Sequence, residues 1–342
     1  RIHRFRARAK ANLKQLTSNE LALVKAYSRG VNEGLKQLST KPFEYFILQQ
    51  RPQRWSPEDS LLVSYAMYLT LQSSTDNTEY QKFLLKQTLS PEWNDFLLQS
   101  KTVWDSSLET DLEPFKPLAI PSQSGSANFT AISYTAPMDR PMVGSNNWAV
   151  SGKLTKSGAA MLSNDMHLGL RVPNTWFRLR LVNTQKKMTV SGLSLPGTPL
   201  TGVPVVIAGS NGSIAWSFTN SYGDWADLVL LKLNPQNPEQ YLTPTGYQPF
   251  TSFKEKITVK DDDEVEFTVK ETIWGPVLRS NSSQPMAINW VAYYPQGMNL
   301  GLLKMETVTT VKQALNISSA MGMPAQNALL ADSSGNIAWT VF

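Results

Sequence analysis

A chain of 342 residues can form one large or two medium domains around a substantial buried core, and its 41% hydrophobic, 17% charged composition is that of a globular protein. No apolar run approaches the ~18 residues of a membrane span, and the net charge of +5 reflects Lys and Arg gathered at the start (Arg1, Arg4, Arg6, Arg8, Lys10), which read as solvated surface because no basic stripe is interleaved with aromatics, arguing against nucleic acid as a partner. With no cysteine, disulfides, thiolate nucleophiles and Cys-based metal sites are excluded.

From about residue 6 to 39, Leu13, Leu16, Leu21, Val24, Tyr27, Val31 and Leu35 recur at helical spacing, with Thr17 or Ser18 as N-cap and Glu20 in the first turn of a second helix. This predicts a helical hairpin. Gly30, inside the second helix, costs about 1 kcal/mol against alanine and points to close packing there. Trp55-Ser56-Pro57-Glu58-Asp59 opens a helix over about 60–72, with proline early and acids in its first turn. Two more helices are predicted over 76–89 and 91–100. Residues 1–110 thus read as a helical segment, and the prolines at 114, 117, 121, 137 and 141 mark 111–144 as a linker.

After Gly144 the pattern turns to β: Trp148–Val150, Ala160–Leu162, Trp176–Val182 with period-two alternation, Val203–Ala208, Ile214–Phe218 and Leu228–Leu231. Asn211-Gly212 and Gly335-Asn336 are turn signals, each followed shortly by Ile-Ala-Trp, so two strand entries echo one another. Lys260–Glu264 reads as the tip of a hairpin spanning Ile257 to Phe267.

Gly144-Ser145 has two readings. As an isolated pair it is an ordinary turn. If the bond is cut, Ser145 becomes a terminus with a hydroxyl nucleophile and an α-amine, whose reference pKa of about 7.7–8.0 suits a general base. His167 follows a short strand in a polar turn, which fits an exposed site edge better than a core. No cysteine or second histidine stands near it at metal spacing, and neither a Gly-x-Ser-x-Gly elbow nor a phosphate-binding glycine loop occurs. Asp224 and Asp227 flank a turn as surface acids or as oxygen ligands for a hard cation such as Ca²⁺.

Taken as a set, Gly144-Ser145-Asn146-Asn147-Trp148-Ala149-Val150-Ser151-Gly152, Asn164-Asp165-Met166-His167-Leu168, Leu195-Pro196-Gly197, Asn211-Gly212-Ser213-Ile214-Ala215-Trp216 and, upstream, Ala26-Tyr27-Ser28-Arg29-Gly30-Val31-Asn32 resemble the penicillin acylase (penicillin amidase) family of N-terminal nucleophile hydrolases. The resemblance runs from about residue 7 to the end. It implies an α+β fold of αββα sandwich type, and a periplasmic or secreted precursor. It also implies autocatalytic cleavage between Gly144 and Ser145 into α and β chains, with residues 111–144 containing the spacer and 145–342 the start of the β chain. Ser145 would be the nucleophile of an amide hydrolase working through an acyl-enzyme on a small N-acyl amide. His167 would orient the nucleophile and its amine, and the Asn220 backbone N–H would form half of the oxyanion hole. One structural Ca²⁺ would be bound by Asp224, Asp227, the Ala226 carbonyl and Glu79, with Asp76 in reserve. Leu168, Ile207, Ala208 and Phe218 fall near acyl-pocket positions. The family's second oxyanion donor lies past the segment ending at Phe342, and its first strand precedes Arg1, so the resemblance also implies a fragment. An N-acyl-homoserine lactone acylase is the alternative of the same mechanism; an inactive β-rich binding module that keeps the fold is the alternative of another class.

Overall fold

The computed structural model describes residues 1–72, 75–99, 101–102, 116–122, 144–168, 174–184, 188–194, 196–197, 201–279 and 284–342. The expected helical hairpin is α1 (Phe5–Leu13) and α2 (Ser18–Gln37). Thr17 caps α2 reciprocally with Glu20: the Glu20 N–H donates to Thr17 Oγ1 at 3.3 Å and the Thr17 N–H to Glu20 Oε2 at 2.8 Å. Gly30 is not a packing glycine, since a Cβ there would meet nothing within 4 Å. Its neighbours do the tertiary work instead. Asn32 Nδ2 donates to the Trp55 carbonyl at 2.9 Å and its Oδ1 accepts the Trp55 N–H at 2.9 Å, while the Tyr27 hydroxyl accepts the Gly202 N–H at 3.0 Å.

After the short α3 (Phe43–Ile47) comes α4 (Pro57–Gln72), which begins at the predicted proline and buries Leu61, Tyr65, Tyr68 and Gln72. Its start is held by Asp59 Oδ2, which accepts the Ser56 N–H at 2.7 Å. The basic start of the chain is not simply solvated. Arg4 Nη1 donates to Glu271 Oε2 at 2.7 Å, the Arg8 guanidinium pairs with the other oxygen of Glu271, and the Arg4 guanidinium lies 3.1 Å over the Phe253 ring. A charge run in sequence does not reveal that one carboxylate from a distant hairpin will neutralise two of its members.

Two compact units emerge, one from Arg1–Ser73 with Val143–Phe342 and the other from Ser74–Met142. The second contains α5 (Thr75–Thr88) and α6 (Pro91–Leu97), close to the predicted ranges. Most of the expected linker lies outside the described residues.

In the first unit the strands follow in order: β1 (Asn146–Val150), β2 (Met161–Asp165), β3 (Phe177–Asn183), β4 (Met188–Ser194), β5 (Pro196–Gly197), β6 (Thr201–Gly202), β7 (Ala208–Ser210), β8 (Ile214–Asn220), β9 (Ala226–Leu230), β10 (Leu233–Asn234), β11 (Asn237–Thr243), β12 (Gly246–Pro249), β13 (Thr251–Ile257), β14 (Val265–Glu271) and β15 (Met286–Trp290). Then come α7 (Val311–Ser318), β16 (Gln326–Asp332) and β17 (Ile337–Val341). The fold is α+β, and its antiparallel sheets include a six-stranded one ordered β17-β16-β8-β7-β4-β3. The pair β13 and β14 is the expected hairpin with Lys260–Glu264 at its tip.

Two strand expectations fail. Val203–Ile207 is an irregular buried segment: Pro204 brings no N–H to a ladder, and its neighbours' carbonyls are taken by side chains, Val203 and Val205 by Ser194 Oγ at 3.2 and 2.8 Å and Ile207 by Trp216 Nε1 at 2.9 Å. The alternation of Trp176–Val182 does not bury one face, because β3 is an edge strand and leaves Phe177, Leu181 and Val182 exposed.

The echoed turns are explained by β16. Strands β8 and β17 flank it, and each is entered through a glycine at positive φ, Gly212 at 91° and Gly335 at 88°. Asn211 Oδ1 accepts the N–H groups of Ser213 and Ile214 at 2.9 and 3.0 Å; Asp332 Oδ1 accepts those of Ser334 and Asn336 at 3.1 and 3.0 Å. Asp332 is 3% exposed, and its other oxygen accepts the Val311 N–H at the start of α7 at 3.0 Å. Burial alone would raise this carboxyl, but the donated hydrogen bonds prevail and hold it below the ordinary aspartate range.

Because the folded-state pKa is the lower one, the Asp332 contribution is present above about pH 4 and is lost as pH falls through the folded value. Asp332→Ala is expected to cost about 3 kcal/mol at pH 7, the scale of lost hydrogen bonds to a buried charge. Asp332→Asn should cost less and lose less further stability between pH 7 and pH 3 than the wild type, measured as urea midpoints at both pH values.

Candidate active site

Strands β1 and β2 pair over five residues, from Val150↔Met161 to Asn146↔Asp165, so the chain just before Asn146 meets the chain just after Asp165. That register brings Ser145 to His167, whose backbone N–H donates to Ser145 Oγ at 3.0 Å. His167 is exposed, as its polar turn predicts, Gly144 is exposed, and Ser145 is half-buried.

Beside them Asp165 Oδ1 accepts the Asn146 N–H at 2.6 Å, and its Oδ2 accepts Asn146 Nδ2 at 3.1 Å and lies 3.4 Å from His167 Nε2. The Asn146 side chain and then its backbone N–H hold the Asp165 carboxyl below the usual range. It is therefore the ionised acceptor that three nitrogens face.

The β1–β2 pair is joined to the large sheet by amides. Asn164 Nδ2 donates both to the Asn146 carbonyl at 2.8 Å and to the Phe218 carbonyl on β8 at 3.0 Å. Asn147 Nδ2 donates to the Asn327 carbonyl on β16 at 3.4 Å, and Asn327 Nδ2 to the Asn220 carbonyl at 3.2 Å. Beyond β1, the Gly152 N–H donates to the Gly335 carbonyl at 2.9 Å, and a Cβ on Gly152 would lie 2.6 Å from the Gly335 Cα, so only glycine fits this crossing.

Asn220 ends β8, where its carboxamide is fixed at both ends: Nδ2 donates to the Leu71 carbonyl at 3.1 Å, and Oδ1 accepts Gln326 Nε2 at 3.3 Å. Its register partner Gln326 exchanges both backbone hydrogen bonds with Phe342, at 3.1 and 3.0 Å, and so faces β17. The pair Asn220↔Gln326 is thus a non-hydrogen-bonded one, and the Asn220 N–H turns away from β16.

Ala208 and Phe218 are buried on the neighbouring strands β7 and β8, with the Phe218 ring edge-on to Phe342 at 5.4 Å. Ile207 and Leu168 are half-buried, Ile207 just before Ala208 and Leu168 directly after His167. Asp224 and Asp227 are both exposed, on either side of the indole of Trp225, which donates to the Ser221 carbonyl at 2.8 Å; Ala226 between Trp225 and Asp227 is buried. Two carboxylates and a carbonyl are an all-oxygen donor set of the kind hard cations take, though fewer than the six to eight oxygens that Ca²⁺ gathers. Glu79, in the other compact unit, accepts Lys82 Nζ at 2.7 Å. Among the described residues no group of three or more His, Cys, Asp or Glu side chains could hold a metal ion.

Sequence reasoning passed over Asp165, Asn164 and Asn327 as individual residues. For Asp165 a signal existed, because strand alternation sends 165 and 167 to the same side.

The chain belongs to the penicillin amidase family, whose model matches residues 1–342. It is 29% identical over 339 residues to the acyl-homoserine lactone acylase QuiP of Pseudomonas aeruginosa, covering 92% of this chain and 38% of that protein. It is 25% identical over 329 residues to the penicillin acylase 2 proenzyme of Pseudomonas sp. strain SE83, covering 92% of this chain and 40% of that one. The chain therefore spans about two-fifths of the length of these relatives. Among solved structures, the thermostable penicillin G acylase from Alcaligenes faecalis aligns over 56% of this chain and 34% of its own with a TM-score of 0.49 and 24% identity.

Asn164→Ala would leave the Asn146 and Phe218 carbonyls without their shared donor. The expected cost is about 1–3 kcal/mol, the price of orphaned carbonyls. Amide hydrogen exchange should speed up in β1 and β2 well before it does in β16.

Proposed function

We propose that the protein is an N-acyl amide hydrolase whose nucleophile is Ser145, released as a chain terminus by scission of the Gly144–Ser145 bond. The observation that carries this is the Ser145 hydroxyl at the head of β1, directly after an exposed glycine and held by the His167 N–H. Support comes also from the family and from the names of the two relatives, both acylases, one of them a proenzyme.

In the scission, Ser145 Oγ attacks the Gly144 carbonyl carbon, the C–N bond breaks, and the hydroxyl proton passes to the departing amine. Water then hydrolyses the ester and restores the hydroxyl. Residues 1–110 and 145–342 thereby come to lie on separate α and β chains, with a spacer within 111–144. In turnover the freed α-amine takes the hydroxyl proton as Oγ attacks the substrate amide. The Asn220 N–H, turned away from β16, receives the developing oxyanion; such a donor contributes about 2.7–4 kcal/mol. His167 orients nucleophile and amine, and Leu168, Ile207, Ala208 and Phe218 contribute to the acyl pocket. A structural Ca²⁺ is part of the proposal, held by Asp224, Asp227 and the Ala226 carbonyl with Glu79 or, failing that, Asp76. So is a periplasmic or secreted setting. Among the described residues no helix is long and apolar enough to cross a membrane.

Two leaving groups compete. A penicillin-like amide is one; an N-acyl-homoserine lactone is the other, favoured by the relative at 29% identity. In full-length protein assayed against penicillin G and a series of acyl-homoserine lactones, one class should be hydrolysed, and Ser145→Ala should lower that rate by about 10⁴-fold or more. Hydrolysis undiminished in Ser145→Ala would refute the assignment, and a folded wild-type protein inert to every substrate would favour a binding module.

For the ion, a calcium concentration 100-fold above its Kd should add about 2.7 kcal/mol of stability. The gain should vanish in Asp224→Asn/Asp227→Asn, as read by thermal unfolding with and without calcium.

A further inference from the structure

We propose that Asp165 is the positioning residue that keeps Ser145 in register once Ser145 is a chain terminus; this rests on Ser145 being the nucleophile. A cut chain end is attached to the fold on one side only and frays unless it is tied down. The ties available to it are on view in the uncut chain.

Asn146↔Asp165 is the last pair of the β1–β2 ladder. At this rung the Asn146 N–H donates not to a backbone carbonyl but to a side chain, Asp165 Oδ1, at 2.6 Å. The short distance is that of a charge-assisted bond, about twice as strong as a neutral one. The same carboxylate accepts Asn146 Nδ2 at 3.1 Å and lies 3.4 Å from His167 Nε2. The backbone N–H of that histidine donates to Ser145 Oγ. One carboxylate thus grips the residue after the nucleophile and the ring of the residue whose N–H holds the hydroxyl. Its side chain is 43% exposed, so it fills no core that needs an aspartate. Neighbouring positions are spoken for by other side chains: Asn164 supplies the donor to the Asn146 carbonyl, while Asp165 alone supplies the acceptor for its N–H.

Removing this acceptor should leave the sheet intact and let the terminus swing. A displacement of about 1 Å at a reacting atom can lower a rate 100-fold. The experiment compares full-length wild type, Asp165→Ala, Asp165→Asn and Ser145→Ala by the rate at which phenylmethanesulfonyl fluoride labels Ser145 in the cleaved chain, read by mass spectrometry. In Asp165→Ala the labelling rate should fall at least about 10-fold with the thermal midpoint within about 3 °C of wild type, and added formate should recover part of the loss by occupying the vacated carboxylate position. Asp165→Asn preserves shape but presents one amide donor to three nitrogen donors, so it should also be slow, and it decides the matter if the alanine variant does not fold. Wild-type labelling rates in the folded Asp165 variants, or a loss that formate leaves untouched, would overturn the inference while leaving the nucleophile in place. Absence of labelling at Ser145 in the cleaved wild type, at the level of Ser145→Ala, would remove the nucleophile and this inference together.

Discussion

The amide of Asn164 joins two layers through one nitrogen, donating at once to the Asn146 carbonyl on β1 and to the Phe218 carbonyl on β8. Strands β1 and β2 form only a two-stranded ribbon, which is marginal by itself in water. Ser145 is therefore no better placed than the ribbon is, and the ribbon is placed by side-chain amides that find backbone carbonyls in the six-stranded sheet. Asn147 and Asn327 repeat the device one strand further on and end it at Asn220. Nucleophile and proposed oxyanion donor are in this way parts of one hydrogen-bonded assembly of chain segments far apart in sequence.

That assembly needs a rigid base, and β16 provides it. The strand is buried along most of its length and is paired on both edges, with β8 and with β17. Its end is fixed by Asp332, which closes the turn into β17 and also starts α7. Gly152 and Gly335 then let the far end of β1 approach that same turn closely. A site built on strands held at both ends keeps its geometry better than one built on loops.

How much of this was legible beforehand depended on whether the cause was local. The Thr17–Glu20 cap, the proline start of α4, the glycine turns before both Ile-Ala-Trp strands and the hairpin tip at Lys260–Glu264 are short-range effects, and each was readable. So was the pairing of Ser145 with His167, through family motifs. The strand expected over Val203–Ala208 failed for the opposite reason, because Ser194 and Trp216 claim its carbonyls from elsewhere in the fold. Gly30 looked like a packing residue because its neighbours Tyr27 and Asn32 make the tertiary contacts. Arg4 and Arg8 read as surface because their partner Glu271 is more than 260 residues away. Asn164 and Asn327 are ordinary asparagines until two layers stack and supply the carbonyls.

The central claim is that Ser145 is a residue meant to become a chain terminus, and the polypeptide itself reports on it. Full-length protein, expressed and purified in folded form, can be analysed by intact mass together with N-terminal sequencing of every chain present. The account predicts two chains, one of them beginning Ser-Asn-Asn-Trp at Ser145. A correctly folded protein whose polypeptide runs unbroken through residue 145 would contradict it.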